Sequence, residues 1–215
     1  MSESQGARRR RVMTERQIAA RGVRAANVLE AMQRVPRECF VPPRLEDFAY
    51  EDTPLPIGEG QTISQPFIVA YMAEAAELSG GEKVLDIGTG SGYAAAILAE
   101  IAEHVYTIER HEKLAEHASE RLASLGYRNV SARCGDGTKG WPDAAPFDAI
   151  VVAAGGPKVP ASLREQLAIG GRLIMPVGPS MRLQKLLRIR RMAEDRFEEE
   201  DLGGVAFVPL IGSEG

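Results

Sequence analysis

The sequence predicts an α/β protein: a doubly wound, mostly parallel sheet with helices on both faces, an antiparallel edge and helices ahead of it. Three observations carry this. From Lys83 onward, short apolar runs alternate with segments of helical periodicity, the pattern that builds parallel sheets. The run Val84-Leu85-Asp86-Ile87 leads into Gly88-Thr89-Gly90-Ser91-Gly92, a tight turn, and then into an alanine-rich helix over Gly92–Ala102. A second apolar run ends at Glu109, where a doubly wound sheet places an acid that accepts hydrogen bonds from ribose hydroxyls.

Each element follows from its residues. Ile18, Ala19, Gly22 and Val23, then Ala26, Val28, Leu29 and Met32, recur at helical spacing, so one or two helices are expected between Thr14 and Arg34. Val35-Pro36 ends them, because the residue before proline disfavours helical geometry. Phe40–Pro43 and Pro54–Gly58 read as extended and irregular. A helix is expected over Gln65–Leu78, stopped by Gly80-Gly81, with Ser64 in the capping position. Strands are predicted at Lys83–Ile87, His104–Glu109, Val130–Cys134, Phe147–Ala154 and Arg172–Val177, and helices at Glu112–Leu125 and Pro160–Leu167. Leu183–Met192 and Gly203–Leu210 read as two antiparallel edge strands around an acidic turn, Glu194–Asp201. We divide the chain into an N-terminal helical and substrate-loop region, 1–80, packed on a core, 81–215, within one structural domain.

Composition bounds the function. A chain of 215 residues with 44% hydrophobic residues can fill one core with a small elaboration. A net charge of −4 argues against nucleic acid as the main partner, since a phosphate backbone calls for a basic surface. Arg8–Arg11 are read as a disordered flank, and Arg182, Lys185, Arg188, Arg190 and Arg191 as a solvated strand face. Cys39 and Cys134 fit neither a disulfide framework nor a zinc motif. His104, His111 and His117 have no metal-ligand spacing and read as solvated, so no metal is expected. No apolar run is long enough for a membrane span or a signal peptide, which makes the cytoplasm the expected location.

The glycine spacing narrows the cofactor. A dinucleotide fingerprint is G-x-G-x-x-G. Here Gly88, Gly90 and Gly92 form G-x-G-x-G with Asp86 just ahead, which resembles the motif of S-adenosylmethionine-dependent methyltransferases. Taken alone, the turn is also compatible with a plain structural role, as is Asp136-Gly137 after a strand. Ser64 is likewise either a helix cap or a donor to a bound carboxylate at a helix start.

Gly60-Gln61-Thr62-Ile63-Ser64-Gln65-Pro66, combined with Leu85–Tyr93, is far more specific than any glycine motif. With the Arg16–Phe40 entry, Ala49–Asp52, Gly135-Asp136-Gly137, Gly140-Trp141, Pro146–Ile150 and the closing Phe207–Leu210, it resembles the protein-L-isoaspartate O-methyltransferase family over nearly the full length. The resemblance implies transfer of a methyl group from S-adenosyl-L-methionine, leaving S-adenosyl-L-homocysteine, to the α-carboxylate of isoaspartyl residues in damaged proteins and peptides. It implies a methyltransferase sheet with its last two strands exchanged in order. By position it makes Ser64 the active-site residue and places Gln61, Thr62, Ile63, Asp86, Gly88, Gly90, Glu109, Asp136 and Gly137 at the cofactor. A monomer without nucleic-acid or membrane partners is expected. Three departures stand out: Glu59, in a loop where the family more often has an uncharged or aromatic residue; the Gly155-Gly156 pair, expected to loosen its loop; and Ile211–Gly215 after Leu210, a short tail onto which the cofactor contacts of longer family members are not carried over.

The implied chemistry asks little of side chains. An α-carboxylate is ionised at neutral pH, so no general base is needed. Trp141 is read as packing. A relative that methylates one dedicated peptide would carry the same core motifs, and a cofactor-binding protein without transfer activity would lack reason to keep both Ser64 and the Gly88–Glu109 half.

Overall fold

The computed structural model describes residues 4–215. Helix α1 (Gln5–Met13) runs through a π turn (Thr14–Ile18) and a 3-10 turn to Gly22, and α2 (Ala26–Arg34) follows. As expected, α2 gives way to extended backbone at Val35, ahead of Pro36. Arg8–Arg11 belong to α1 rather than to a loose flank. Arg10 reaches Glu38 at 3.1 Å and the Tyr50 hydroxyl at 3.1 Å, and these partners hold the helix against the rest of the chain.

The Pro54–Gly58 stretch is more regular than its prolines suggest. Strands β1 (Leu55–Gly58) and β2 (Gln61–Ile63) form a hairpin. Its turn is Glu59-Gly60, with φ of 50° and 70°. Two successive positive φ values suit the tight turns whose twist matches the strands. Helix α3 covers Pro66–Ala75, shorter than expected at both ends.

Then come β3 (Lys83–Ile87), α4 (Tyr93–Ala99), β4 (His104–Glu109), α5 (Glu112–Ser124), β5 (Val130–Cys134), β6 (Phe147–Val152), α6 (Ala161–Glu165), β7 (Leu167–Val177), β8 (Gln184–Ala193) and β9 (Arg196–Val205). They form a seven-stranded sheet in the order β5-β4-β3-β6-β7-β8-β9. The first five strands in that order are parallel, and β8 and β9 add an antiparallel edge in chain order. The chain leaves β3 towards β4 and β5 and returns on the other side as β6. The switch point of the sheet therefore lies at the carboxyl ends of β3, β4 and β6, where α/β folds place ligands.

Side chains alternate across the sheet. Val84 joins an apolar cluster with Met32, Met72 and Ile97 from α2, α3 and α4, so residues from both sides of position 80 share one core. Leu85 and Ile87 join the opposite cluster with Phe147, Leu163 and Leu173. Trp141 packs there too, edge-on to Tyr106 at 5.1 Å and 4.0 Å from the Arg133 guanidinium.

The edge corrects the expected acidic turn. Glu198, Glu199, Glu200 and Asp201 lie within β9, opposite Arg190, Ile189, Arg188 and Leu187. Arg188 meets Glu200 at 2.5 Å, and Lys185 meets Asp201 at 2.6 Å. The arginines are not a free solvated face either: Arg172, Arg188 and Arg190 all converge on Glu77. Cross-strand charge pairing stabilises a strand that composition alone reads as loop.

Candidate active site

The turn after β3 holds Gly88, Gly90 and Gly92 at φ of 93°, 53° and 90°. These are left-handed conformations that glycine adopts without a Cβ penalty. The backbone N–H groups of Gly88 and Thr89 donate to the Ile108 carbonyl, and Arg121 of α5 donates to the Ser91 carbonyl at 2.7 Å. Glu109 completes the bracing. One carboxylate oxygen accepts from the Gly90 N–H at 2.9 Å and the other from the His111 N–H at 3.0 Å. The carboxylate is 5% exposed and borders the cleft described below.

Asp86 departs from its expected place. It is fully buried and does not line the cleft. The pleat turns it to the Val84 side of the sheet, beneath the glycine turn. Its Oδ2 accepts from the Thr107 hydroxyl at 2.7 Å, and Thr107 meets the Thr89 hydroxyl at 2.5 Å. Oδ1 has no partner. Burial pushes the Asp86 carboxyl up to about 6; the Thr107 bond opposes this and the Glu109 charge adds to it. Asp86 supports the turn from below instead of touching a ligand.

Ser64 also differs from expectation. The N-cap of α3 is Gln65, and neither residue's side chain caps the helix. Asp52 does this from a distance: its Oδ1 accepts from the Phe67 N–H at 3.3 Å, and its Oδ2 accepts from Gln65 Nε2 at 2.7 Å. Arg21 pairs with the same carboxylate at 2.5 Å and stacks 3.6 Å from the Phe67 ring centre. Relieved of capping, Ser64 lies on the cleft wall. Its carbonyl accepts from Arg37 Nη2 at 2.8 Å, and Arg37 Nε donates to the Ala49 carbonyl at 2.7 Å.

Both halves meet in one cleft at the switch point. It brings together Gln61, Thr62, Ile63, Ser64, Gly88, Gly90, Glu109 and Gly137. Asp136 stays outside. Its Oδ1 accepts from the Thr138 N–H and hydroxyl, and its Oδ2 from the Ser213 N–H and hydroxyl, each Ser213 bond 2.9 Å long. Burial would raise the Asp136 carboxyl, but the Thr138 and Ser213 bonds outweigh it and hold it down at about 2. Gly137 is buried against Ile87, where a Cβ would collide with that side chain.

Several cleft residues escaped the sequence reading. His111 was expected on an open helical surface, yet it precedes α5 and its Nε2 stands 3.5 Å from Gln61 Nε2 across the cleft mouth. Tyr93 and the tail residues Val208–Ile211 also line it. The tail is anchored by reciprocal 2.8 Å bonds from Gly155 N–H to Val208 O and from Leu210 N–H to Gly155 O. The Gly155-Gly156 loop is therefore pinned, not loose, and a Cβ on Gly155 would overlap Gln184. No tail contact was carried over from the resemblance, yet the segment up to Ile211 reaches the cleft.

Asp86 yields a pH prediction. Its folded pKa of about 6 exceeds the ordinary aspartate value near 3.9, so the unfolded chain releases this proton first. Stability should fall as pH rises from about 4 to about 6 and then level off. Relative to Asp86→Asn, which cannot ionise, the wild type should lose roughly 3 kcal/mol across that window in urea unfolding. Parallel stability profiles for the two proteins would show that Asp86 titrates normally.

Comparison with known proteins gives the family. Residues 8–215 match the family model for protein-L-isoaspartate(D-aspartate) O-methyltransferase (PCMT). A protein-L-isoaspartate O-methyltransferase 1 of Rhodopseudomonas palustris is 60% identical over 209 residues, covering 97% of this chain and 85% of the relative. A protein-L-isoaspartate O-methyltransferase 2 of Pelobacter propionicus is 58% identical over 207 residues, covering 96% and 92%. A solved protein-L-isoaspartate O-methyltransferase superposes with a TM-score of 0.85 at 29% identity, over 95% of this chain and 67% of the other. A Plasmodium falciparum structure described as a member of the same family, in complex with S-adenosyl-L-homocysteine, gives a TM-score of 0.82 at 25% identity, over 94% and 98%. The chain belongs to the protein-L-isoaspartate O-methyltransferase family.

Proposed function

We propose that the cleft divides the labour of the family's reaction between two walls, with Ser64 holding the isoaspartyl α-carboxylate and the glycine turn with Glu109 holding the nucleoside of S-adenosylmethionine. The reaction of the family is S-adenosylmethionine-dependent methyl transfer to L-isoaspartyl residues. The observation that carries the division is the convergence of Ser64, Gly88, Gly90 and Glu109 on one cleft although they come from separate elements.

The residues fit the cofactor. The turn offers bare backbone at Gly88 and Gly90, and Gly137, packed too closely on Ile87 for any side chain, lines the same cleft. Each Glu109 oxygen accepts one backbone N–H and keeps lone-pair capacity for a ribose hydroxyl. Gln61, Thr62 and Ile63 flank the space between the two walls. Nothing supports a direct cofactor contact by the Asp86 or Asp136 side chains, whose bonds face elsewhere. When bound, S-adenosylmethionine supplies a methyl group already activated on a sulfonium. The chain's own task is then to orient an ionised carboxylate and exclude water, and positioning of this kind contributes roughly 7–11 kcal/mol.

We assign the chain to general repair of damaged proteins and peptides, as a cytoplasmic monomer. The cleft opens to solvent, and both cysteines are free. Among the described residues, no helix is long and apolar enough to cross a membrane.

Generality of substrate is tested by methyl transfer from labelled cofactor to pairs of unrelated peptides differing only in isoaspartate or aspartate. Label should enter each isoaspartyl member and not its partner. Labelling of one sequence only would point to a dedicated peptide substrate, and equal labelling of both members would overturn the assignment.

Two substitutions separate the walls. Ser64→Ala should lower turnover roughly ten- to a hundredfold by loss of a charge-assisted hydrogen bond of about 1.5–3 kcal/mol. Its melting temperature should hardly change, because the hydroxyl caps nothing. Glu109→Gln should weaken S-adenosylhomocysteine binding at least tenfold in calorimetry while leaving peptide affinity at saturating cofactor nearly constant. Normal turnover of the first variant, or normal cofactor affinity of the second, would dissolve the assignment of that wall.

A further inference from the structure

Arg37 is a fully buried arginine, at 0% exposure. It opens the 3-10 turn after Val35-Pro36, and its two hydrogen bonds go to backbone carbonyls, Ala49 and Ser64. Its guanidinium carbon lies 4.7 Å from the centre of the Tyr93 ring. Tyr93 and Ser64 both line the cleft, so the charge stands one layer behind the wall. The remaining nitrogen, Nη1, is buried without a hydrogen-bond partner.

The nearby acids do not neutralise it. Asp52 feels the charge, but its carboxylate is bonded to Arg21, Gln65 and the Phe67 N–H. Glu38, next in the chain, pairs with Arg10 and the Tyr50 hydroxyl. A buried charge without a paired counter-ion costs several kcal/mol. Keeping the two carbonyls in place needs only donors, not a net charge. The charge itself remains unexplained by packing.

We propose that Arg37 is a positioning residue for the substrate: through the Ser64 carbonyl it fixes the backbone that receives the α-carboxylate, and its buried charge makes that end of the cleft selective for an anion. This rests on the assignment of the carboxylate to Ser64. The isoaspartyl carboxylate supplies the negative charge that the protein itself leaves out. Tyr93 links the two, since it lines the cleft and its ring centre is 4.7 Å from the guanidinium carbon, where a cation is held by the ring's negative face. A low-dielectric wall of this kind screens little of the field, so the effect persists at ionic strengths that abolish surface attraction.

The test measures binding to the protein saturated with S-adenosylhomocysteine, using two peptides identical except that one carries the isoaspartyl α-carboxylate and the other its carboxamide. The wild type should bind the carboxylate at least tenfold more tightly. Arg37→Gln should bring the two affinities within about threefold, while Arg37→Lys, which keeps the charge, should preserve most of the preference. A merely structural role would weaken both peptides equally in both variants, and that result would overturn the proposal. So would a wild type that binds both peptides alike, a measurement that needs no variant to fold. Ser64→Ala separates the two readings. If it leaves carboxylate binding unchanged while Arg37→Gln abolishes the preference, the Ser64 assignment fails and the role of the Arg37 charge stands.

Discussion

The Glu109 carboxylate is the joint on which the cofactor side of this molecule turns. It accepts the Gly90 N–H with one oxygen and the His111 N–H with the other, tying the turn after β3 to the entry of α5. A turn whose three glycines all have positive φ has only Thr89 and Ser91 to contribute side chains. Its rigidity comes from outside: Glu109 at the end of β4, the Ile108 carbonyl, Arg121 from α5, and the buried Asp86–Thr107–Thr89 chain beneath. Hydrogen bonds to a carboxylate are stronger than neutral ones, so one acid can fix two backbone segments and still face a ligand.

The opposite wall is built by the same economy. Asp52 caps α3 from a loop, which leaves Ser64 free, and Arg37 clamps the Ser64 carbonyl from below. Neither wall depends on a general base. That agrees with a reaction whose nucleophile is already ionised, where the protein contributes geometry and a dry surface rather than proton transfer. The tail closes the third side. Ser213 engages Asp136, and Leu210 is fastened to Gly155, so the last strand's exit becomes part of the cleft.

Much of this was legible in the residues. The bounds of β3, β4 and β5 match their predicted ranges; the central β3 is the one that reads as a buried apolar run ahead of a turn signal. Motif and position single out Ser64, Gly88, Gly90 and Glu109, which line one cleft in the fold. What the sequence hid was long-range pairing. The capping of α3 by Asp52 spans a loop, and Ser64 occupies the position where a local cap is expected. The acidic run became β9 because each acid meets a residue of β8, which composition cannot reveal. The bonding of Asp136 is hidden for the same reason: its partner Ser213 lies at the far end of the chain. His111 gave only a weak signal, as the residue just before a predicted helix at the end of β4.

The most direct measurement is a crystal structure of the chain with S-adenosylhomocysteine and an isoaspartyl peptide bound together. The peptide α-carboxylate should lie within about 3.2 Å of Ser64 Oγ and the ribose diol on the Glu109 carboxylate. Arg37 should remain on the Ser64 carbonyl, one layer behind the bound anion. A carboxylate seated away from Ser64, or a ribose held by groups other than Glu109, would contradict the two-walled site.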